Sequence, residues 1–249
     1  MPDKSILITG CSSGIGYCVA RGLQQRGYRV FATARRAESV AALNAEGLES
    51  LQLDLNDSTS IHQAVDEVLR RCDGRLYAVF NNGAFGLPGA VEDLSRDAIR
   101  AEFETNVFGW VELTNRLLPV MRTQGYGRIV QNSSVLGFVA MPFRGAYNAS
   151  KYAIEGLSDT LRLELTDTGI HVCLIEPGPI LSRFRANALN AMQKYIDIEN
   201  SVHKERYQRV LERLNKEGPA VAFTLPPEAV LKKVIHALEA RLSLIHISE

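Results

Sequence analysis

Charge of neither sign prevails in this 249-residue chain: 28 Lys and Arg stand against 28 Asp and Glu. A general role on nucleic acid or on a membrane surface would need an excess of positive charge, so the balance argues against both, while leaving room for a small basic pocket. Cysteines are few. Cys11, Cys18, Cys72 and Cys173 are scattered, with no CxxC pair and no metal-ligand spacing, so reduced and mostly buried thiols are expected. No run approaches the ~20 apolar residues of a spanning helix. The opening Met1-Pro2-Asp3-Lys4 leads straight into an apolar strand, unlike a signal peptide, and cytoplasm is the expected location. No proline- or serine-rich linker divides the chain and no repeat is visible. One domain over residues 1–249 is therefore expected, large enough for a substantial core.

What is present is an alternation of two periods. Ser5–Thr9, Tyr28–Ala34, Glu49–Leu53, Leu76–Phe80, Arg128–Gln131 and Ile170–Ile175 read as short apolar strands. Between them, Gly14–Arg26, Ala37–Ala45, Ser58–Arg71, about Ser95 to Met121, and Tyr147–Leu165 read as helices. Strands separated by helices predict an α/β fold: a doubly wound, Rossmann-type parallel sheet of six to seven strands with helices on both faces. The strands lack polar–apolar alternation, as expected where both faces are covered. Residues 183–225 differ, with sparse apolar residues and dense charge from Lys194 to Lys216; they read as a helical lid. The tail, with Leu242, Leu244, Ile245 and Ile247, reads as a short edge strand, a frayed terminus or a remnant foreign to the natural chain.

The turn after the first strand is Thr9-Gly10-Cys11-Ser12-Ser13-Gly14-Ile15-Gly16. Glycines there let the backbone turn tightly and approach a pyrophosphate, and the following helix supplies unpaired N–H groups and a partial positive charge. The second strand ends Ala34-Arg35-Arg36, where an NAD-binding chain usually places an acid for the ribose hydroxyls. Guanidinium groups instead pair with a 2′-phosphate, and Ser12 can add a hydrogen bond, so NADP(H) is the expected cofactor. Tyr147 and Lys151 stand four residues apart, on one helix face. A tyrosine ordinarily titrates near ~10; a neighbouring ammonium, together with the positive nicotinamide ring of the oxidised cofactor, favours the phenolate and lowers that value toward neutrality.

The glycine pattern T-G-x-x-x-G-x-G and the Y-x-x-x-K of Tyr147-Asn148-Ala149-Ser150-Lys151 resemble those of the short-chain dehydrogenase/reductase family. Further matches fall in order along the chain, from Thr9 to Ser182. Ser134 lies thirteen residues before Tyr147, at the family's strand-end serine, with Ser133 as its competitor. The resemblance implies that Ser134 polarises the substrate carbonyl oxygen, Tyr147 exchanges its proton, Lys151 tunes Tyr147 and holds the nicotinamide ribose, and Asn106 helps hold a water linked to Lys151. It also implies cofactor contacts from Gly10, Ser13, Gly14, Ile15 and Gly16, and an adenine contact from Asp54 and Leu55. Asn82 and Gly83 stand in Asn81-Asn82-Gly83-Ala84, where the family's last two residues are exchanged. Pro177, Gly178, Ile180 and Ser182 would hold the nicotinamide carboxamide, with Ser182 replacing the usual threonine.

The chain is also similar to the subgroup of oestradiol 17β-dehydrogenase, retinol dehydrogenases and bacterial NADP-dependent aldehyde reductases, although the R-Y-x-x-T-like strand of those relatives is absent. The implied reaction is R₂C=O + NADPH + H⁺ ⇌ R₂CHOH + NADP⁺, with reduction favoured. Phe138, Met141, Pro142, Phe143, Leu181, Phe184 and Phe223 are candidate pocket walls and suggest a lipophilic aldehyde or ketone. The family commonly forms homodimers or homotetramers through its long helices, here those near 95–121 and 147–165. A catalytically silent NADP(H)-binding regulator is the alternative, but such a chain would be expected to have lost Tyr, Lys or Ser. A nucleotide-sugar epimerase would be longer and carry an added domain.

Overall fold

The chain is described by a computed structural model over residues 4–219, 221–240 and 246–248, the last three by backbone alone. The expected alternation is realised as β1 (Ser5–Ile8), α1 (Gly14–Gln25), β2 (Arg29–Ala34), α2 (Ala37–Ala45), β3 (Glu49–Gln52), α3 (Ser58–Arg71) and β4 (Ala78–Asn81). Then follow α4 (Arg96–Phe103), α5 (Gly109–Gln124), β5 (Gly127–Asn132), α6 (Gly145–Glu164) and β6 (Ile170–Glu176). The chain closes with α7 (Phe184–Tyr195), α8 (Lys204–Asn215), α9 (Pro227–Glu239) and β7 (His246–Ser248).

All seven strands are parallel, in the order β3-β2-β1-β4-β5-β6-β7. Of the tail expectation, His246–Ser248 pairs with Leu174–Glu176 and forms the sheet's last edge; Leu242, Leu244 and Ile245 lie outside the described residues, as do Met1, Pro2 and Asp3. The core lies on both faces. On one side Ile61, Val65 and Val68 of α3 pack with Leu113 and Leu117 of α5 against the sheet. On the other, Val19 and Leu23 of α1 meet Val230 and Val234 of α9. Each set repeats at helical spacing, which is why these segments are amphipathic helices.

Local signals fix the helix starts. The Asp57 carboxylate accepts from Thr59 N at 2.9 Å ahead of α3, and the Ser95 hydroxyl accepts from Ala98 N at 3.1 Å ahead of α4. Such caps are worth ~1 kcal/mol each. The single helix expected from Ser95 to Met121 departs from a regular helix in one place: residues Glu104–Phe108 form a wider, π-helical turn between α4 and α5. The extra residue in that turn presents Asn106 to the neighbouring loop, where its amide bonds both backbone groups of Phe85.

Winding of the sheet reverses between β1 and β4, so their carboxyl ends open a crevice, the place where ligands bind in such sheets. Helices α7 and α8 rest on a small core of their own. Met192 and Ile196 of α7 and Tyr207 and Leu214 of α8 pack with Leu87 and Ala90. The Tyr207 hydroxyl accepts from Ala90 N at 2.8 Å and donates to Asp93 at 2.7 Å, tying α8 to the loop after β4.

Candidate active site

The loop after β1 is built by its glycines. Gly10 has φ +72, and a Cβ there would lie 2.7 Å from the Cα of Gly83. A Cβ on Gly16 would meet the carbonyl oxygen of Gly10 at 2.3 Å. Only glycine lets the loop, the start of α1 and the end of β4 approach this closely. Ser13, ahead of α1, makes no side-chain cap and the first turn carries no acid. Its backbone donors are therefore left for an anion. Thr9 Oγ1 accepts from the backbone N–H of both Asn82 and Gly83 at 2.8 Å, and the Asn82 amide donates to Thr9 O at 2.9 Å. Asn132, at the end of β5, donates to Asn82 Oδ1 at 2.9 Å, so three strand ends are bonded in a row.

A cleft of about 540 Å³ opens above these strand ends. It brings together Gly10, Ser12, Ser13, Gly14, Ile15, Asn82, Gly83, Ser134, Tyr147, Lys151, Pro177, Gly178, Ile180 and Ser182 from the sequence-predicted set. Gly16 stands behind it, against Gly10. Asn106 is buried and hydrogen-bonded to Ser150 and Glu102, away from the lining. Asp54 and Leu55 follow β3 outside the lining: the Asp54 carboxylate accepts from Asn56 N at 3.0 Å, and Leu55 packs beneath Gly109 and Gly83. Arg35 and Arg36 are exposed at the end of β2, with no side-chain ion pair among the described residues. The Cys11 N–H donates to Thr33 O at 2.7 Å and holds the glycine loop beside that strand. Of the expected pocket walls, Met141, Leu181, Phe184 and Phe223 line the cleft. Phe143 instead stacks edge-on against Tyr207, with ring centroids 5.1 Å apart.

Lys151 lies one helical turn beyond Tyr147 on α6 and is 1% exposed. Its ammonium donates to Asn132 O at 2.8 Å and sits 4.3 Å above the ring of Trp110, the chain's one tryptophan. Trp110 Nε1 donates to Gly83 O at 2.8 Å. This tryptophan thus forms the floor of the site, although no motif marks it. Burial lowers the Lys151 ammonium to about 7, against the opposing pull of Glu102 and Glu155. Burial also pushes the Tyr147 phenol well above its ordinary value; the Ser134 hydroxyl pulls it down, and Glu102 adds to the rise. The sequence led to the expectation of a depressed phenol. In the chain by itself, desolvation outweighs the Ser134 hydrogen bond; the expected lowering also draws on the oxidised nicotinamide ring.

Glu102, one turn before Asn106, is fully buried. It accepts from Leu87 N at 3.0 Å and Asn106 Nδ2 at 3.2 Å, and burial raises its carboxyl to about 8. The folded chain therefore holds this proton between pH 4.5 and about 8, where the unfolded chain releases it, and stability falls as pH rises through that window. Lys151 acts oppositely: its folded value near 7 lies below the ordinary 10.5, so stability rises with pH between them. Glu102→Gln removes the first dependence. Its melting temperature relative to the native chain is expected to climb between roughly pH 5 and pH 9. A difference that stays flat over that range would sink the buried-acid account.

Comparison with known proteins bears on the same residues. The family profile described as short chain dehydrogenase matches residues 4–193. An Escherichia coli K12 protein described as uncharacterized oxidoreductase YbbO is 45% identical over 235 residues, 94% of this chain and 81% of its own. The 17-beta-hydroxysteroid dehydrogenase type 1 of Homo sapiens is 36% identical over 252 residues, 96% of this chain and 75% of its own. A solved actinorhodin polyketide ketoreductase with NADPH superposes with a TM-score of 0.81 at 27% identity, covering 100% of this chain and 97% of that one. No helix among the described residues is long and apolar enough to cross a membrane. Fold, cleft and sequence likeness agree, and the chain belongs to the short-chain dehydrogenase/reductase family of oxidoreductases.

Proposed function

We propose that this chain is an NADPH-dependent carbonyl reductase that turns lipophilic aldehydes or ketones into alcohols. The observation that carries the reading is the convergence of Ser134, Tyr147 and Lys151 in one cleft, facing the glycine loop after β1. The cleft suits a dinucleotide: uncapped N–H groups at the start of α1, no acidic residue in its lining, and arginines just beyond β2. Gly10, Ser12, Ser13, Gly14, Ile15 and Gly16 would hold the phosphates, Arg35 and Arg36 the 2′-phosphate, and Asp54 with Leu55 the adenine. Asn82, Gly83, Pro177, Gly178, Ile180 and Ser182 would frame the nicotinamide end. Bound NADPH supplies the hydride.

The chain's own groups do the rest. Tyr147 donates the proton of its phenol to the carbonyl oxygen. Ser134 donates a hydrogen bond to the same oxygen, where charge develops. Lys151, held by Asn132 O and the Trp110 ring, fixes the positive charge beside Tyr147 and binds ribose. Asn106 positions the inner end of α6 through Ser150, whose hydroxyl donates to Tyr147 O at 2.8 Å.

Helices α7 and α8, within residues 183–225, form the lid of this single-domain enzyme. Exposed Phe108, Tyr152, Leu157 and Leu163 on and beside α5 and α6 support assembly into a homodimer or homotetramer through those helices. The cytoplasm is the compartment proposed. An NADPH-consumption screen over retinal, medium-chain aldehydes, steroid ketones and aromatic aldehydes tests the reading. Turnover on at least one class is expected; NADPH binding with no oxidation across the panel would favour a silent cofactor-binding regulator.

A further inference from the structure

The cleft carries more positive charge than the proposed chemistry uses. Its lining includes Arg144, Lys151, Arg183, Arg185 and Arg213, and no Asp or Glu. A concave surface of one sign concentrates counter-charge. Three of the five cations have evident work. Lys151 serves Tyr147. Arg185 donates to the carbonyls of Arg213 at 3.2 Å and Lys216 at 2.7 Å, closing the end of α8. Arg183 follows Ser182, which lies against the glycine loop: a Cβ on Gly14 would come within 2.9 Å of the Ser182 Cβ. Arg183 therefore stands on the side of the cleft where the cofactor would bind.

Arg144 and Arg213 remain. Arg144 directly precedes α6, three residues before Tyr147, and its guanidinium donates to Phe143 O at 2.9 Å. Arg213 stands in the last turn of α8, on the lid. Neither forms an ion pair with a side chain among the described residues. They act on each other as like charges: after burial, the Arg213 charge is the next cause that lowers Arg144. Glu102 pulls the other way, but it lies outside the cleft lining, and burial favours its neutral form. Among the described residues, none of the acidic side chains lines this cleft, although two guanidinium groups in one cleft without a facing carboxylate are unfavourable. Met141, Leu214 and Phe223 add apolar side chains to the lining, and the Phe184 ring packs edge-on against Tyr147 with centroids 5.4 Å apart.

We infer that the substrate is amphiphilic, with an anionic group, carboxylate or phosphate, held between Arg144 and Arg213 while its apolar body reaches back to Tyr147. The identity of the reacting end rests on the carbonyl reductase reading; the anion site does not. Calorimetric titration of the full chain, saturated with NADP⁺ so that the cofactor half is filled, separates the two. The probes are octanoate, octyl phosphate and octanol. Octanoate or octyl phosphate is expected to bind about tenfold or more tightly than octanol, as a charge-assisted pair requires. The preferred probe tells carboxylate from phosphate. Arg213→Glu, an exposed change on the lid, is expected to abolish the advantage, and Arg144→Gln to reduce it. Equal binding of the three probes, or an anion advantage that survives both substitutions, overturns the inference. In parallel, NADPH turnover is compared for octanal and for octanoate bearing an ω-aldehyde. Intact anion binding with neither aldehyde reduced would overturn the reductase reading alone; octanal reduced as well as its anionic counterpart would overturn the anion site alone.

Discussion

Tyr147→Phe is expected to lose roughly 10²–10⁴-fold of turnover, the span that a positioned proton donor contributes, while binding NADPH as the native chain does. The substitution removes one oxygen and leaves the ring, so the edge-on contact with Phe184 and the packing of α6 persist. Lys151 keeps its bond to Asn132 O and its place over Trp110, because neither depends on the phenol oxygen. The loss should therefore fall on kcat, with the cofactor dissociation constant unchanged. Ser134→Ala should show a smaller loss in the same direction, since Ser134 stabilises the oxygen but carries no transferable proton in this scheme. A Tyr147→Phe enzyme with native turnover would remove Tyr147 from the chemistry.

The second large effect concerns cofactor choice. Replacing Arg35 and Arg36 together by Ala is expected to weaken NADPH binding by roughly 10- to 100-fold, the value of one or two hydrogen bonds to a charged group. NADH binding should barely change, because it has no 2′-phosphate to lose. Both side chains are exposed and make no ion pair among the described residues, so the fold does not depend on them. Fluorescence titration with the two cofactors reads the outcome. Parallel weakening of both, or of neither, would contradict the role assigned to these arginines.

Much of this architecture is legible in the sequence because buried strands and amphipathic helices have different periods. Ala37–Ala45 and Ser58–Arg71 stand at the expected residues, and β1 to β6 with α1 and α4 to α6 begin or end within a few positions of theirs; α7 and α8 are expected only as a helical stretch, and α9 is not read from the sequence. The glycine loop is legible for a different reason: its constraint is local, imposed by the turn between Gly10 and Gly16. The π-helical turn at Glu104–Phe108 is not, since a regular helix period passes through Asn106 without interruption, and the distortion comes from bonds to Phe85 across the loop. Trp110 and Glu102 escape notice because their roles depend on the depth at which α4 and α5 pack beneath Lys151. Arg144 and Arg213 are 69 positions apart and come to line one cleft only once α8 folds over it. In a charge-balanced chain they pass as two solvated arginines. The desolvation that raises the Tyr147 phenol in the chain by itself is not legible either, because spacing on a helix face carries no information about burial.

One measurement bears most directly on the central claim: isotope transfer from NADPH deuterated at nicotinamide C4 to the product, with an aldehyde that the native enzyme turns over. The account predicts an alcohol carrying one deuterium on its carbinol carbon, formed mole for mole with NADP⁺, and roughly 10²–10⁴-fold less of it from Tyr147→Phe in the same time. An unlabelled alcohol, or labelled alcohol formed equally well without the Tyr147 hydroxyl, would contradict it.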